Sequence, residues 1–264
     1  MTKLAGVLVW MLCCAVAAMG AEPDWAGPMK EVHAKFTGKK GVLAKYGDSI
    51  TYTRAFLCPL QWDAKNVPDE LADTLKWLKN YVAKECWNWE GAENGCNSGT
   101  TAEWGLKGID GWLKKHNPEV ALILWGTNET KQNVPKEKYK ANMAAIVDKV
   151  LANGTIPVLY TIPPRASQGA DANVRKVVES YVEAVREIAA EKKVPLIDFY
   201  REILTRQPTD FGKTLMGDEL HPSYPKGHEN NFSEESLRLS GYTLRNYLTL
   251  KMLGELRKHV LESK

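Results

Sequence analysis

Short, mainly apolar runs alternate with longer amphipathic ones along most of this chain. Val42-Leu43-Ala44-Lys45-Tyr46, Val120-Ala121-Leu122-Ile123-Leu124, Ile156-Pro157-Val158-Leu159-Tyr160 and Val194-Pro195-Leu196-Ile197-Asp198 have the length and composition of buried strands. Between them the apolar spacing widens to that of helices: Pro68 to Lys84, Thr101 to Lys115, Pro135 to Asn153-Gly154, Asn173 to Lys192 and Glu234 to Leu261. Strands alternating with helices predict an α/β fold with a parallel sheet covered on both faces. A further strand is expected between Lys84 and Gly99, but Glu85 to Cys96 is polar and Gly-containing, a poor buried strand.

The first twenty residues stand apart. Lys3 supplies a positive start, Leu4 to Ala18 an apolar run, and Ala18-Met19-Gly20 a small-residue cleavage site, so residues 1–20 read as a signal peptide. That run is short for a membrane span, and no later stretch reaches the required length. No internal repeat or linker interrupts residues 21–264, which read as one domain of an exported protein. Composition is ordinary for a globular chain, with 44% apolar and 25% charged residues. A net charge of +3 is too small to imply a nucleic-acid partner. Charges in the C-terminal stretch, Arg245 among them, read as a solvated helix face. Cys86 and Cys96 bracket a short loop and form the favoured disulfide pair, the alternative being three reduced thiols with Cys58. No CxxC spacing suggests a metal.

Four short motifs carry candidate chemistry: Gly47-Asp48-Ser49, Asn97-Ser98-Gly99, Gly126-Thr127-Asn128 and Asp218-Glu219-Leu220-His221. Ser49 and Asn128 follow predicted strands, where open α/β sheets build their sites. Ser49 can act as a nucleophile with His221 as its base and Asp218 orienting that base. Asp218 and His221 are three apart, as on one helical turn, with Pro222 ending it. The Ser49 amide, the Gly99 amide and the Asn128 carboxamide can donate to a developing oxyanion. Each motif alone is ordinary turn or loop chemistry. Asp198, at the end of a predicted strand, competes with Asp218 for the third position, but only Asp218 is held near His221 by sequence.

In this order the motifs resemble those of the SGNH hydrolases, also called the GDSL esterase/lipase family. Gly47-Asp48-Ser49 matches the nucleophile block, Gly99 the oxyanion glycine, Gly126-Thr127-Asn128 the Gly-x-Asn block and Asp218 to His221 the Asp-x-x-His block. Gly95 is the alternative to Gly99. The resemblance implies a flavodoxin-like three-layer α/β/α sandwich with a mostly parallel five-stranded sheet. It also implies ester hydrolysis through an acyl-enzyme, without metal or cofactor. Glu129 stands where Asp is frequent, a difference expected to matter little. Gly241-Tyr242 matches the start of the family's final helix, which makes Ser223 to Ser240 an insertion beside the site.

Trp87 and Trp89, in the polar loop before Gly99, are the candidate substrate-binding residues, since exposed rings stack on sugar faces. Arg54 and Arg165 can also line a cleft, with solvated loop residues as the plainer reading. His33, His116 and His259 read as surface residues. The rings fit a carbohydrate ester, and the resemblance to exported members of the family implies O-deacetylation of a saccharide or polysaccharide. A lipase or arylesterase on the same machinery, and a non-catalytic carbohydrate-binding protein, are the alternatives.

Overall fold

The apolar runs form one parallel sheet. In the computed structural model, which describes residues 22–262, the strands β1 (Leu43–Gly47), β2 (Val120–Leu124), β3 (Ile156–Tyr160) and β4 (Leu196–Ile197) lie side by side in that order. Every residue of β1, β2 and β3 is buried, which explains their unbroken apolar sequences. The signal-peptide assignment falls on residues 1–20, outside the described residues.

Ten α-helices are present among the described residues. In chain order they are α1 (Ala26–His33), α2 (Asp69–Tyr81), α3 (Ala102–His116), α4 (Thr127–Gln132) and α5 (Lys136–Ala152). Then come α6 (Ala172–Lys192), α7 (Phe199–Arg206), α8 (Phe211–Thr214), α9 (Glu234–Leu239) and α10 (Gly241–Leu256). α3, α5 and α6 pack side by side on one face of the sheet, and α2 with α10 on the other, giving three layers. No helix among the described residues is long and apolar enough to cross a membrane.

The sheet has four strands rather than the five expected. Where the fifth belongs, Cys96 makes a single parallel bridge to Gly47 at the outer edge of β1. The Gly47 N–H donates to Gly95 O (3.1 Å) and the Asn97 N–H to Gly47 O (3.2 Å). Short 3₁₀ turns at Lys84–Asn88 and Ala92–Asn94, and left-handed glycines at 91 and 95, replace the remainder. Even so, β1 has neighbours on both sides reached by opposite crossovers, the switch point at which α/β sheets bind ligands.

The long C-terminal helix is also not continuous. It breaks at Ser240, whose backbone is extended (φ −127°) and whose hydroxyl accepts the Thr243 N–H at the start of α10 (3.4 Å). Gly241 is packed so closely that a Cβ would lie 2.2 Å from the Leu215 carbonyl oxygen. This break lets α9 fold back, and α10 ends in a π-helical turn, Arg257–Leu261.

The favoured disulfide is absent: Cys58, Cys86 and Cys96 are free and buried. The strand separates the candidate pair. Cys86 Sγ accepts the N–H of Leu43 at the start of β1, whereas Cys96 pairs with Gly47 at its end. Four residues of strand span about 13 Å, beyond the roughly 7 Å Cα separation that a disulfide tolerates. Burial pushes both the Cys86 and the Cys96 thiol up to about 11. Alkylation without reductant should therefore label all three cysteines after unfolding and leave Cys86 and Cys96 largely unmodified before it. A Cys86–Cys96 cross-linked peptide in the mass spectrum would contradict this arrangement.

Candidate active site

The chain turns sharply where β1 ends. A Cβ on Gly47 would sit 2.4 Å from both Leu124 O and Thr51 Oγ1, so only glycine fits there. The Asp48 carboxylate is fully buried and accepts the Ile50 N–H (3.0 Å), while Asp48 O accepts the N–H groups of Thr51 (3.0 Å) and Tyr52 (2.8 Å). These bonds close a tight turn with Ser49 half-buried at its tip.

α10 holds that turn from below. The Arg245 guanidinium donates to Ile50 O (2.8 Å) and Thr51 Oγ1 (3.3 Å). It lies 3.5 Å above the Phe56 ring centre and 4.7 Å from that of Tyr160. The neighbouring Asn246 accepts the Leu57 N–H (2.8 Å) and donates to Ala55 O (2.9 Å). Leu57 is thereby kept at φ 65°, a conformation rarely adopted by a branched residue. The sequence reading of Arg245 as part of a solvated face is thus wrong: it is 0% exposed.

His221 arrives on a loop, not on the helical turn expected. An antiparallel bridge between Met216 and Pro222 closes the loop, and the Gly217 N–H donates to His221 O (2.8 Å). Asp218 Oδ1 accepts the N–H groups of both Leu220 and His221 at 2.8 Å, a side-chain turn that competes with helix. The imidazole then lies between two partners, with Nδ1 2.9 Å from Asp218 Oδ2 and Nε2 2.9 Å from Ser49 Oγ. An ionised carboxylate only accepts, so the network assigns the proton to Nδ1 and leaves Nε2 to accept from the Ser49 hydroxyl. Partial burial pushes the Asp218 carboxyl up, but the two backbone N–H groups and the imidazole outweigh it and hold it below the usual carboxylate range.

Glu219, which the motif reading passed over, clamps this loop. Its carboxylate accepts from Arg165 Nε (2.7 Å), the Ser167 hydroxyl (2.6 Å) and the Ser167 N–H (3.0 Å), tying the His221 loop to the segment after β3. Arg165 is therefore an anchor rather than a cleft residue.

The register places the remaining groups. Gly47 pairs with Leu124, so the turns after β1 and β2 emerge level and about 5 Å apart. Gly126 (φ 131°) is crowded by Ile162 and Tyr139 and admits no side chain. Asn128 Nδ2 donates to Thr100 O (2.8 Å), which orients the carboxamide, and makes a longer second bond to Asp48 Oδ2 (3.5 Å). The Thr100 hydroxyl in turn donates to Gly47 O (3.3 Å) and Asn97 O (2.8 Å), drawing the Gly99 segment to the end of β1. Among the described residues, neither the Ser49 nor the Gly99 N–H has a protein acceptor. The Gly95 N–H is spent on Ala92 O, which favours Gly99 over Gly95 as the free donor.

Glu129 matters more than its position after Asn128 suggested. It is buried, and Oε1 accepts the Ala102 N–H at 2.5 Å, capping the start of α3. Burial pushes its carboxyl up.

The two tryptophans assigned to substrate do not reach the site. Trp87 is turned into the core. Trp89 stacks on His116 (ring centres 3.9 Å apart) at the far end of α3, about 20 Å along the helix from Ala102. The tryptophan that does face solvent is Trp62, 57% exposed, which no sequence signal singled out. Asp198 caps α7 and pairs with Arg186 (2.9 Å), so it is no rival to Asp218. His33 and His259 are partnered by carboxylates and largely covered, not the surface residues expected. Among the described residues no three His, Cys, Asp or Glu side chains gather to hold a metal ion.

Asp48 makes a stability prediction. Complete burial, together with the Glu129 charge, raises it from 3.8 to about 7 despite the Ile50 N–H and Arg245. Between those values the unfolded chain releases a proton that the folded one keeps. Stability from this group is thus full at low pH and lost as pH rises to about 7. Urea unfolding at pH 4 to 8 should show Asp48→Asn gaining on the wild type across that window, by about 2–4 kcal/mol in total. Parallel pH profiles would contradict the raised value.

Known proteins share the sequence pattern and the fold of this chain. The sequence pattern of the GDSL-like lipase/acylhydrolase family matches residues 46–229. The chain is 26% identical over 130 residues to thioesterase 1/protease 1/lysophospholipase L1 of Escherichia coli K12, a match covering 49% of this chain and 58% of that protein. The fold is shared with a lipase/acylhydrolase from Enterococcus faecalis (TM-score 0.56, 21% identity, 83% of this chain and 98% of the other). It is also shared with a catalytic mutant of an acetylxylan esterase from Geobacillus stearothermophilus (TM-score 0.56, 16% identity, 87% and 100%). Over residues 46–229, then, the chain belongs to the GDSL-like lipase/acylhydrolase family.

Proposed function

We propose that this protein is an exported serine esterase that removes O-acetyl groups from a saccharide. The observation that carries the reading is the line from Asp218 through His221 to Ser49, two contacts of 2.9 Å, ending beside amide donors that no protein acceptor uses. Ser49 Oγ attacks the ester carbonyl as His221 Nε2 takes its proton. Asp218 holds the imidazole in the required tautomer and balances the positive charge it gains. The Ser49 and Gly99 N–H groups receive the oxyanion, joined by the Asn128 N–H that exchanges its long 3.5 Å bond to Asp48 Oδ2 for it. His221 then gives its proton to the leaving alcohol oxygen, the acetyl group stays on Ser49, and water releases acetate by the same roles reversed. Export rests on the leader pattern of residues 1–20.

An acetylated saccharide is favoured by the surroundings of the site, where the flanking loops carry Arg54, Asp63 and Glu229 rather than a greasy lid. The shared fold with an acetylxylan esterase is consistent with it. The Escherichia coli thioesterase/lysophospholipase supports a second reading, in which longer acyl chains are the substrate. The two readings differ in acyl preference: rates on p-nitrophenyl esters should fall from acetyl to octanoyl for the first and rise for the second.

Acetate release from acetylated oligosaccharides should drop to background in Ser49→Ala with the fold intact, and full activity in that variant would refute the nucleophile. Asn128→Ala should lower kcat by about 10²–10³-fold with little change in KM. Arg245→Met should lower kcat about 10²-fold by releasing the nucleophile turn, a loss that Arg245→Lys does not repair. Steady-state kinetics beside a thermal melt separates that loss from unfolding, and unaltered kcat in folded Arg245→Met would show that the turn holds without it.

A further inference from the structure

The insertion Ser223–Ser240 builds one wall of a second feature. Between it and the loop that follows the nucleophile lies an open groove of about 610 Å³, lined by Arg54, Trp62, Asp63, Tyr224, Glu229 and Asn230 among others. The two walls are fastened together. Asn230 Nδ2 donates to Pro59 O (2.9 Å) and Asp63 O (3.1 Å). The Lys65 N–H donates to Asn230 O (2.9 Å) and the Phe232 N–H to Lys65 O (2.9 Å). Below, Asn246 fixes Ala55, and Tyr224 rests edge-on against Tyr242 (ring centres 6.0 Å apart). The groove is thus rigid before any ligand arrives.

It adjoins the proposed site through the chain itself. Arg54 is five residues beyond Ser49 and Tyr224 three beyond His221, spans of at most about 18 Å and 11 Å. Of the three large apolar side chains exposed on the described surface, Tyr52 and Trp62 belong to this one loop. Trp62 leaves 57% of its surface in water, whereas Trp87 and Trp125 are buried. Its neighbours in the groove include the Arg54 cation and the Asp63 and Glu229 carboxylates, so the rim offers donors and acceptors of both signs without a field for a polyanion. A flat ring beside such groups suits a ligand with an apolar face and hydroxyl edges, and suits an alkyl chain poorly.

We propose that this groove binds a sugar ring of the substrate adjacent to the acetylated one, stacked on Trp62 with its hydroxyls bonded to Asp63 and Glu229. This rests on the saccharide esterase reading above. It makes the insertion the element that selects an oligosaccharide over a single sugar.

The test uses the full chain and the acetylated oligosaccharide that gives the fastest Ser49-dependent acetate release among acetylated xylo-, manno- and chito-oligosaccharides. For the wild type, kcat/KM should rise about tenfold or more from the acetylated monosaccharide to the trisaccharide. In Trp62→Ala that gain should disappear, and the ratio of oligosaccharide to p-nitrophenyl acetate activity should fall by the same factor. Trp62→Phe, which keeps a ring, should retain most of it. A gain unaltered in Trp62→Ala would overturn the groove assignment alone. Wild-type protein that cleaves p-nitrophenyl acetate but none of the oligosaccharides would instead refute the saccharide reading on which it rests.

Discussion

The site depends on one buried cation. Arg245, without solvent exposure, spends its hydrogen bonds on Ile50 O and the Thr51 hydroxyl rather than on a carboxylate. Burying a charge is costly, and burial itself pushes this guanidinium below its ordinary value. The cost is offset by bonds to a charged donor, about 1.5–3 kcal/mol each, and by the Phe56 and Tyr160 rings. What results is a Ser49 turn fixed directly to a helix residue 195 positions away in sequence. The same helix begins at Gly241, jammed under Pro222 and thus under the His221 loop. One rigid element therefore sets the position of both the serine and its base.

Around that element, each remaining group is oriented by backbone rather than by long side-chain networks. Parallel register brings Gly47 and Leu124 level, which sets Ser49 and Asn128 on one edge. Asn128 is aimed by the Thr100 carbonyl, and Asp218 by two amides of its own loop. Such supports cost little reorganisation when charge develops. Glu129 and Asp48, both buried and both raised by burial, add a polar layer beneath the donors whose charge state, unlike that of surface carboxylates, changes in the neutral range for Asp48.

Much of this was legible in the sequence. Strand runs and helix stops fall within a few residues of their observed ends, because buried parallel strands are unbroken apolar runs. That Ser49, His221 and Asp218 would lie together was legible from motif order. What could not be read depends on contacts distant in sequence. Arg245 resembles any charge on an amphipathic helix until the first ten residues of that helix, 241–250, prove buried on every side. Glu219 finds Arg165 and Ser167 more than fifty residues away. The break at Ser240 is visible only once Gly241 is seen to lack room for a Cβ, and the fifth strand shrinks to one bridge because its segment is polar. Trp87 and Trp89 were chosen for the polarity around them, yet a 3₁₀ turn rotates Trp87 inward and puts Trp89 on His116. Trp62 sits among residues no more telling than theirs.

The central claim is that Ser49 is an activated nucleophile and that His221 activates it. Reaction of the intact protein with a fluorophosphonate, followed by peptide mass spectrometry, tests it most directly. One phosphonyl adduct per chain, located on Ser49, should form fast in the wild type and be lost in His221→Ala. Absence of an adduct, an adduct on another residue, or labelling of Ser49 at the same rate without His221 would contradict it.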